Sequence, residues 1–291
     1  MRTKLTKKEV QLISCFLFCP LLLLLTFGIA PLLAVVQYSF TSWNGLTPTK
    51  TYIGWDNYIK VLTDPMYLKV LGNSFIYFIS GVIQIGIGLL LAILLSGQVR
   101  GKGFFKAIFI FPILISGMAI AMLFKVFLSP GGGLDQLLVL LGLEQYQRYW
   151  LGDPGVVNYT LGALSLWRYT GQSFILYYGA LQTIPSEHHR LAAIEGCSAW
   201  DKLRYITLPG IHLVMKINFV LLTIGAISAF ELPFILTNGA NGTATFLLQT
   251  VKTAFEKRDF GLAASMAVII SLVMLILSSL QRKWYKGEEN D

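Results

Sequence analysis

Six stretches of this chain are long and apolar enough to cross a lipid bilayer, which restricts its fold more than any other feature. A hydrocarbon core needs about 20 consecutive apolar residues per helix, and residues 12–36, 75–95, 107–127, 156–181, 213–236 and 261–280 reach that length. With 55% hydrophobic and 13% charged residues, a 291-residue globule could not hide this much apolar surface from water. The chain therefore reads as an all-α integral membrane protein with six transmembrane helices. The polar stretches 41–69, 129–155 and 238–259 are too short to fold alone, so residues 1–291 are expected to form a single membrane domain. No internal repeat or low-complexity tract is visible. Gly81, Gly86, Gly88 and Gly225 would allow close helix approach. Pro112 and Pro233 are expected to break or kink the third and fifth helices.

Charge orients the expected bundle. Arg2, Lys4, Lys7 and Lys8, then Arg100, Lys102 and Lys106, then Arg190, Lys202, Arg204 and Lys216, and finally Arg282, Lys283 and Lys286 hold most of the 23 Lys and Arg. Cytoplasmic loops are enriched in positive charge, so both termini and the segment 186–208 are expected inside. The net charge of +8 describes orientation in the membrane, and the basic residues are spread over four separate loops, which argues against a nucleic-acid partner.

Several chemistries are excluded. There is no G-x-x-x-x-G-K-[ST] phosphate loop, no G-x-S-x-G elbow, no CxxC and no metal-spaced cluster; His188, His189 and His212 all lie in or beside the segment 186–208. Cys15, Cys19 and Cys197 lack a disulfide or zinc context and read as packing residues. Leu12-Ile13-Ser14-Cys15 looks like a lipoprotein cleavage box, but too few apolar residues precede it for a signal segment. No cofactor, metal or catalytic residue is expected, and any energy source belongs to another polypeptide.

Ionisable groups inside a bilayer are costly, so Arg168 in the fourth span and Glu231 in the fifth need partners or water. They could pair with each other. One reading gathers Arg168, Glu231, Gln172, Asn218 and the aromatics Trp167, Tyr169 and Tyr178 around a polar cavity, since sugars are held by hydrogen bonds and by stacking on rings. The other reading is a set of polar and aromatic contacts between helices.

Between the fourth and fifth spans, residues 186–208 form a charged segment closed by Pro185 and Pro209. Ser186 as N-cap, Glu187 in the first turn and Gly196 as a left-handed stop predict one short helix. Ser198 and Asp201 form a capping box that opens a second, with Trp200, Leu203 and Ile206 on an apolar side and Pro209 as its end.

The run from His189 to Trp200, followed by Ile206-Thr207-Leu208-Pro209, resembles the EAA loop of ABC importer permeases, roughly E-A-A-x-I-D-G-A-S-x-W then I-T-L-P. Further matches to sugar-type permeases are Gly54-Trp55-Asp56-Asn57-Tyr58, Asn73-Ser74, Pro112 through Lys125, Phe230-Glu231 through Thr237, Thr245 and Ala254-Phe255. Together they cover nearly the whole chain and resemble the carbohydrate-uptake group, the maltose, multiple-sugar and glycerol-phosphate types. The resemblance implies a coupling pair of helices that docks an ATPase through Glu187, Arg190, Ala192, Glu195, Gly196, Ser198, Trp200, Asp201 and Arg204. Arg190 stands where the pattern has its first glutamate and Glu195 where it has aspartate, which leaves open whether an ion pair made by that glutamate carries over. It also implies a second similar permease, two ATPase subunits holding ATP and Mg, an extracellular or periplasmic sugar-binding protein, a carbohydrate substrate and a bacterial cell membrane. The rival from the residues themselves is a secondary transporter acting alone and coupled to ions through Arg168 and Glu231, although six spans show no inverted repeat. A membrane-embedded enzyme would need a catalytic cluster that the chain lacks.

Overall fold

The structure is a computed structural model that describes residues 6–97 and 99–287, with backbone only at residues 9, 10 and 284–287. Arg2 and Lys4 lie outside the described residues, as does the side chain of Lys286. The chain divides into two compact units, one running to Asp64 and including Thr250–Ile269, the other comprising Pro65–Gln249 and the residues from Ile270 onward.

In the first unit, α1 (Lys7–Leu24) and α2 (Ala30–Tyr38) are joined by a π-helical turn, Leu25–Ile29, into one apolar rod. The Ala30 N–H reaches back to Leu25 O, and Pro31 follows in the first turn of α2, where a missing N–H costs little. Past the rod, β1 (Thr41–Ser42) pairs antiparallel with β2 (Thr51–Tyr52), Thr41 opposite Tyr52. The Asn57-Tyr58 pair then fastens α3 (Asp56–Thr63) to the end of the rod. Asn57 Nδ2 donates to the carbonyls of Ser39 and Thr41, both at 3.0 Å, and Tyr58 Oη lies 2.6 Å from Ser39 Oγ.

The second unit contains α4 (Pro65–Ser96), α5 (Lys102–Leu114), α6 (Gly117–Phe127), α7 (Gly133–Leu140), α8 (Val157–Leu181), α9 (Ser186–Ile194), α10 (Ala199–Lys202), α11 (Leu208–Ile227) and α12 (Glu231–Thr237). Along the chain, α13 (Phe246–Phe255) and α14 (Phe260–Gly287) each contribute residues to both units. The axis of the second unit is α8, against which α4, α5 and α11 pack. One apolar cluster joins Tyr77, Leu161, Leu164, Ala226, Leu232 and Leu236; another joins Ala92, Leu95, Phe174, Tyr177 and Ile211. Close approach depends on small residues, as is usual between helices in lipid. A Cβ on Gly88 would lie 2.6 Å from Ser173 Cβ, and one on Gly171 would lie 2.2 Å from the Phe109 carbonyl. Gly81 is also a close-approach position, whereas nothing crowds Gly86 or Gly225.

The spans depart from expectation in three ways. Among the described residues, four helices are long and apolar enough to cross a membrane: Gln11–Tyr38, Pro65–Ser96, Ala199–Thr237 and Phe260–Lys283. The expected third span is broken into α5 and α6, bent by 95°, and is a fifth only if that pair counts as one. The expected fourth, α8, is not among them; it carries Asn158, Arg168 and Gln172 among its apolar residues and buries 11 of its 25 residues against the protein.

The prolines also act differently from expectation. The α5 helix runs through Pro112, and the chain turns at Ile115 and Ser116; Ser116 Oγ then accepts from the Ala119 N–H to cap α6. The fifth helix breaks before Pro233, which sits in the first turn of α12, where a proline is tolerated. The Ala229 carbonyl left free there accepts from Thr245 Oγ1 at 2.5 Å.

Candidate functional site

Two places in the second unit collect the residues singled out above: a two-helix knob at 186–208 and a cavity formed by α4, α8, α11 and α12.

In the knob, α9 does not begin with a serine cap: Pro185 occupies the cap position without a side-chain bond, and Ser186 is already helical. Proline has no side-chain acceptor, so the first turn relies instead on Glu187, whose charge suits a helix N-terminus. At the other end Gly196 has φ +76°, the Cys197 N–H donates to Ala192 O at 2.9 Å and the Gly196 N–H to Ala193 O at 3.3 Å. That is the paired bonding of a Schellman stop, and it needs a residue free to adopt positive φ. The capping box is complete: the Ser198 N–H donates to Asp201 Oδ2 at 3.0 Å, and the Asp201 N–H donates to Ser198 Oγ at 3.2 Å. Bonds from the Ser198 side chain and backbone hold the Asp201 carboxyl below the usual carboxylate range.

Pro209 does not end the second knob helix. A π-helical turn, Leu203–Thr207, passes the Leu208 N–H to Leu203 O, and Pro209 falls in the first turn of α11. The device is the one that carries the first rod past Pro31. Thr207 Oγ1 adds a bond to Lys202 O at 3.2 Å, so α10 and α11 form one continuous helical shaft.

The exposed apolar side of the knob consists of Leu191, Ile194, Trp200 and Tyr205, and Ile194 is 83% exposed. Leu203 and Ile206, expected on that side with Trp200, are only half-exposed. Glu187, Arg190, Glu195, Gly196, Ser198 and Arg204 are exposed, Asp201 is half-exposed, and Ala192 is buried beneath them. Among the described residues neither Arg190 nor Glu195 enters an ion pair.

The cavity measures about 440 Å³. Its polar wall comes from Tyr77 and Gln84 on α4, Ser165, Tyr169 and Gln172 on α8, Asn218 on α11, and Ser228 and Glu231 at the break before α12. Ser173 ties three helices together behind it: its Oγ receives Gln84 Nε2 at 2.8 Å and Asn218 Nδ2 at 2.9 Å. Arg168 Nη1 donates to Glu231 Oε2 at 2.6 Å, and the Arg168 guanidinium lies 5.1 Å from the Tyr169 ring centroid. Glu231 fits only because residue 117 has no side chain; a Cβ on Gly117 would lie 1.9 Å from Glu231 Oε2.

Of the residues expected around a cavity, Gln172, Asn218, Glu231 and Tyr169 line it. Arg168 stands behind Glu231, with its side chain 10% exposed. Trp167 points elsewhere, half-exposed and edge-on to Phe124 at 5.3 Å. Tyr178 accepts a bond from Lys106 at 2.5 Å and packs in the apolar cluster of Ala92, Phe174 and Ile211. Tyr77, Gln84, Ser165 and Ser228 line the cavity too, beyond the residues expected from the sequence. Gln84 was the legible one, a lone amide inside the apolar run 75–95.

The family model described as "Binding-protein-dependent transport system inner membrane component" matches residues 84–286. The probable ABC transporter permease protein YurN of Bacillus subtilis is 34% identical over 96% of this chain and 98% of its own. The multiple sugar-binding transport system permease protein MsmF of Streptococcus mutans is 31% identical over 94% of this chain and 95% of its own. The crystal structure of a bacterial ABC transporter involved in the import of the acidic polysaccharide alginate overlays with a TM-score of 0.85 over 96% of both chains, at 20% identity, a likeness of fold.

Proposed function

We propose carbohydrate import on one premise: this chain belongs to the family of binding-protein-dependent transport system inner membrane components. It acts as the permease subunit of an ATP-binding-cassette importer and forms, with a second permease, the membrane pathway for a sugar or oligosaccharide. The multiple-sugar relative supports the substrate class. Residues 1–291 act as one membrane domain with six spans. The four apolar helices, the bent pair α5 and α6, and the enclosed α8 support that count. Both termini and the knob face the cytoplasm, as the distribution of Lys and Arg favours. A binding protein outside the cell delivers the sugar, and two ATPase subunits inside hold ATP and Mg and grip the knobs. This chain contributes no catalytic residue.

The observation that carries this reading is the continuous shaft from Ala199 through the π turn to Ile227. Its knob end presents Trp200 and Tyr205, and its far end carries Asn218, Leu221 and Gly225 of the cavity wall. Closure of the ATPase pair would move the knob, and a rod without a hinge passes that motion to the wall as a rigid-body rotation. The test is purification of the tagged chain from its native membrane in mild detergent, with mass spectrometry of what accompanies it. Recovery of an ATPase and a second permease is expected. A chain that purifies alone, still transports and stops when an ion gradient is dissipated overturns the reading in favour of an ion-coupled transporter.

A further inference from the structure

We propose that this cavity admits uncharged sugars and turns away anionic ones, uronates and sugar phosphates alike. The inference rests on reading the cavity as a sugar pathway, and it narrows the class of sugar.

Among the described residues that line the cavity, Glu231 has the only carboxyl or basic side chain; every other polar lining side chain is an amide, hydroxyl or phenol. Arg168, the cation nearest to it, does not line the space. Its side chain is 10% exposed, against 42% for Glu231, and its Nη1 is held on Glu231 Oε2 at 2.6 Å. A ligand entering the cavity therefore meets the carboxylate first, with the guanidinium screened behind it.

A neutral polyol suits such a wall. Its hydroxyls can donate to the free face of the carboxylate, a charge-assisted bond stronger than a neutral one, and exchange bonds with Gln172 and Ser165. An anionic sugar keeps hydroxyl donors but brings like charge against Glu231, with no cationic side chain among the described lining residues to offset the cost. Arg168 offsets part of the charge from behind, so the discrimination acts locally, on a group placed against the exposed carboxylate. The alginate transporter shares the fold, and a shared fold does not dictate the charge of a pathway wall.

The purified permease complex, without its binding protein, is to be titrated with maltose, lactose and diacetylchitobiose, and with digalacturonate and trehalose 6-phosphate, reading the shift in Tm. The best neutral sugar is expected to bind at least about tenfold more tightly than either anion. Glu231→Gln leaves the Arg168 charge uncompensated and should narrow that gap about tenfold, whereas Glu231→Asp should keep it. Should Glu231→Gln fail to fold, Gln172→Lys puts a cation in the same wall with the ion pair intact and must narrow the gap in its place. Digalacturonate binding the unaltered complex as tightly as the best neutral sugar overturns the proposal, as does a gap unmoved by the charge variants. Binding by none of the five overturns the sugar-pathway reading beneath it.

Discussion

The knob and the cavity are built in opposite ways from the same length of helix. The knob is made of local instructions: a glycine at φ +76°, a capping box closed within four residues, and a π turn that absorbs a proline. The cavity is made of distant ones: Glu231 meets Arg168 across 63 residues, Ser173 receives Gln84 and Asn218 across 89 and 45, and Gly117 leaves the room that the carboxylate fills. A knob of this kind can be docked and released as a unit, because its shape survives whatever surrounds it. A cavity of this kind changes shape when its helices move, because no single helix owns its wall. That division suits the lever-driven pathway proposed above.

Breaking the cavity while sparing the knob should have the largest effect. Gly117→Ala pushes a methyl group into the Glu231 carboxylate and should cut transport about a hundredfold, since disturbing a partly buried ion pair leaves charge uncompensated. ATPase co-purification should be unchanged, and transport within twofold of the unaltered protein would contradict the assignment. The reciprocal break is Gly196→Asp, which places a side chain at a strained positive φ. Co-purified ATPase should fall about tenfold while sugar-induced Tm shifts persist; unaltered docking would detach the knob from coupling.

Smaller changes sharpen the contrast. Arg168→Gln removes the cation behind Glu231 and should lower Tm by a few °C, because a chain of this size loses about 2–4 °C per kcal/mol. Scanning calorimetry of the detergent-purified chain checks it. Ser198→Ala opens the capping box and should reduce sugar-stimulated ATP hydrolysis by no more than about threefold, since a lost cap frays one turn. The depressed Asp201 pKa gives the pH sense: the box contributes fully above the ordinary carboxylate pKa and is lost as pH falls through the lowered value.

The same contrast explains what could be read from sequence. Gly196, Ser198, Asp201 and Glu187 were legible because caps and left-handed stops are properties of four or five consecutive residues. Six apolar runs were visible for the same reason, although α8 carries Asn158, Arg168 and Gln172 and falls short of the most apolar helices, and the broken α5–α6 pair turns after Pro112 at Ile115 and Ser116. Pro209 misled because a proline reads as a stop unless a π turn precedes it, and no simple residue pattern announces that turn. Arg168 and Glu231 stood out because charge in a bilayer is costly, while Tyr77 and Ser165 did not, since nothing local distinguishes a hydroxyl facing a cavity from one bonded to its own helix, as that of Ser228 is to Ile224 O. Asn73 shows the same limit. Its Nδ2 holds the turn before α13 through Gly242 O and Ala244 O at 2.9 and 2.6 Å, a role written some 170 residues away.

The central claim is that the knob and the cavity wall share one rigid shaft, and the distance along that shaft tests it most directly. Spin labels at Ala199→Cys and Leu221→Cys, in a background without Cys15, Cys19 and Cys197, sit 22 residues apart, or roughly 33 Å along an α-helix. In the complete complex this distance should stay constant to within about 2 Å when a non-hydrolysable ATP analogue is added, while the distance from Ala199→Cys to a label at Tyr159→Cys on α8 changes by more, as rigid-body rotation of packed helices requires. A shaft that shortens or bends at the π turn on nucleotide addition, with the cavity wall left in place, would contradict the account.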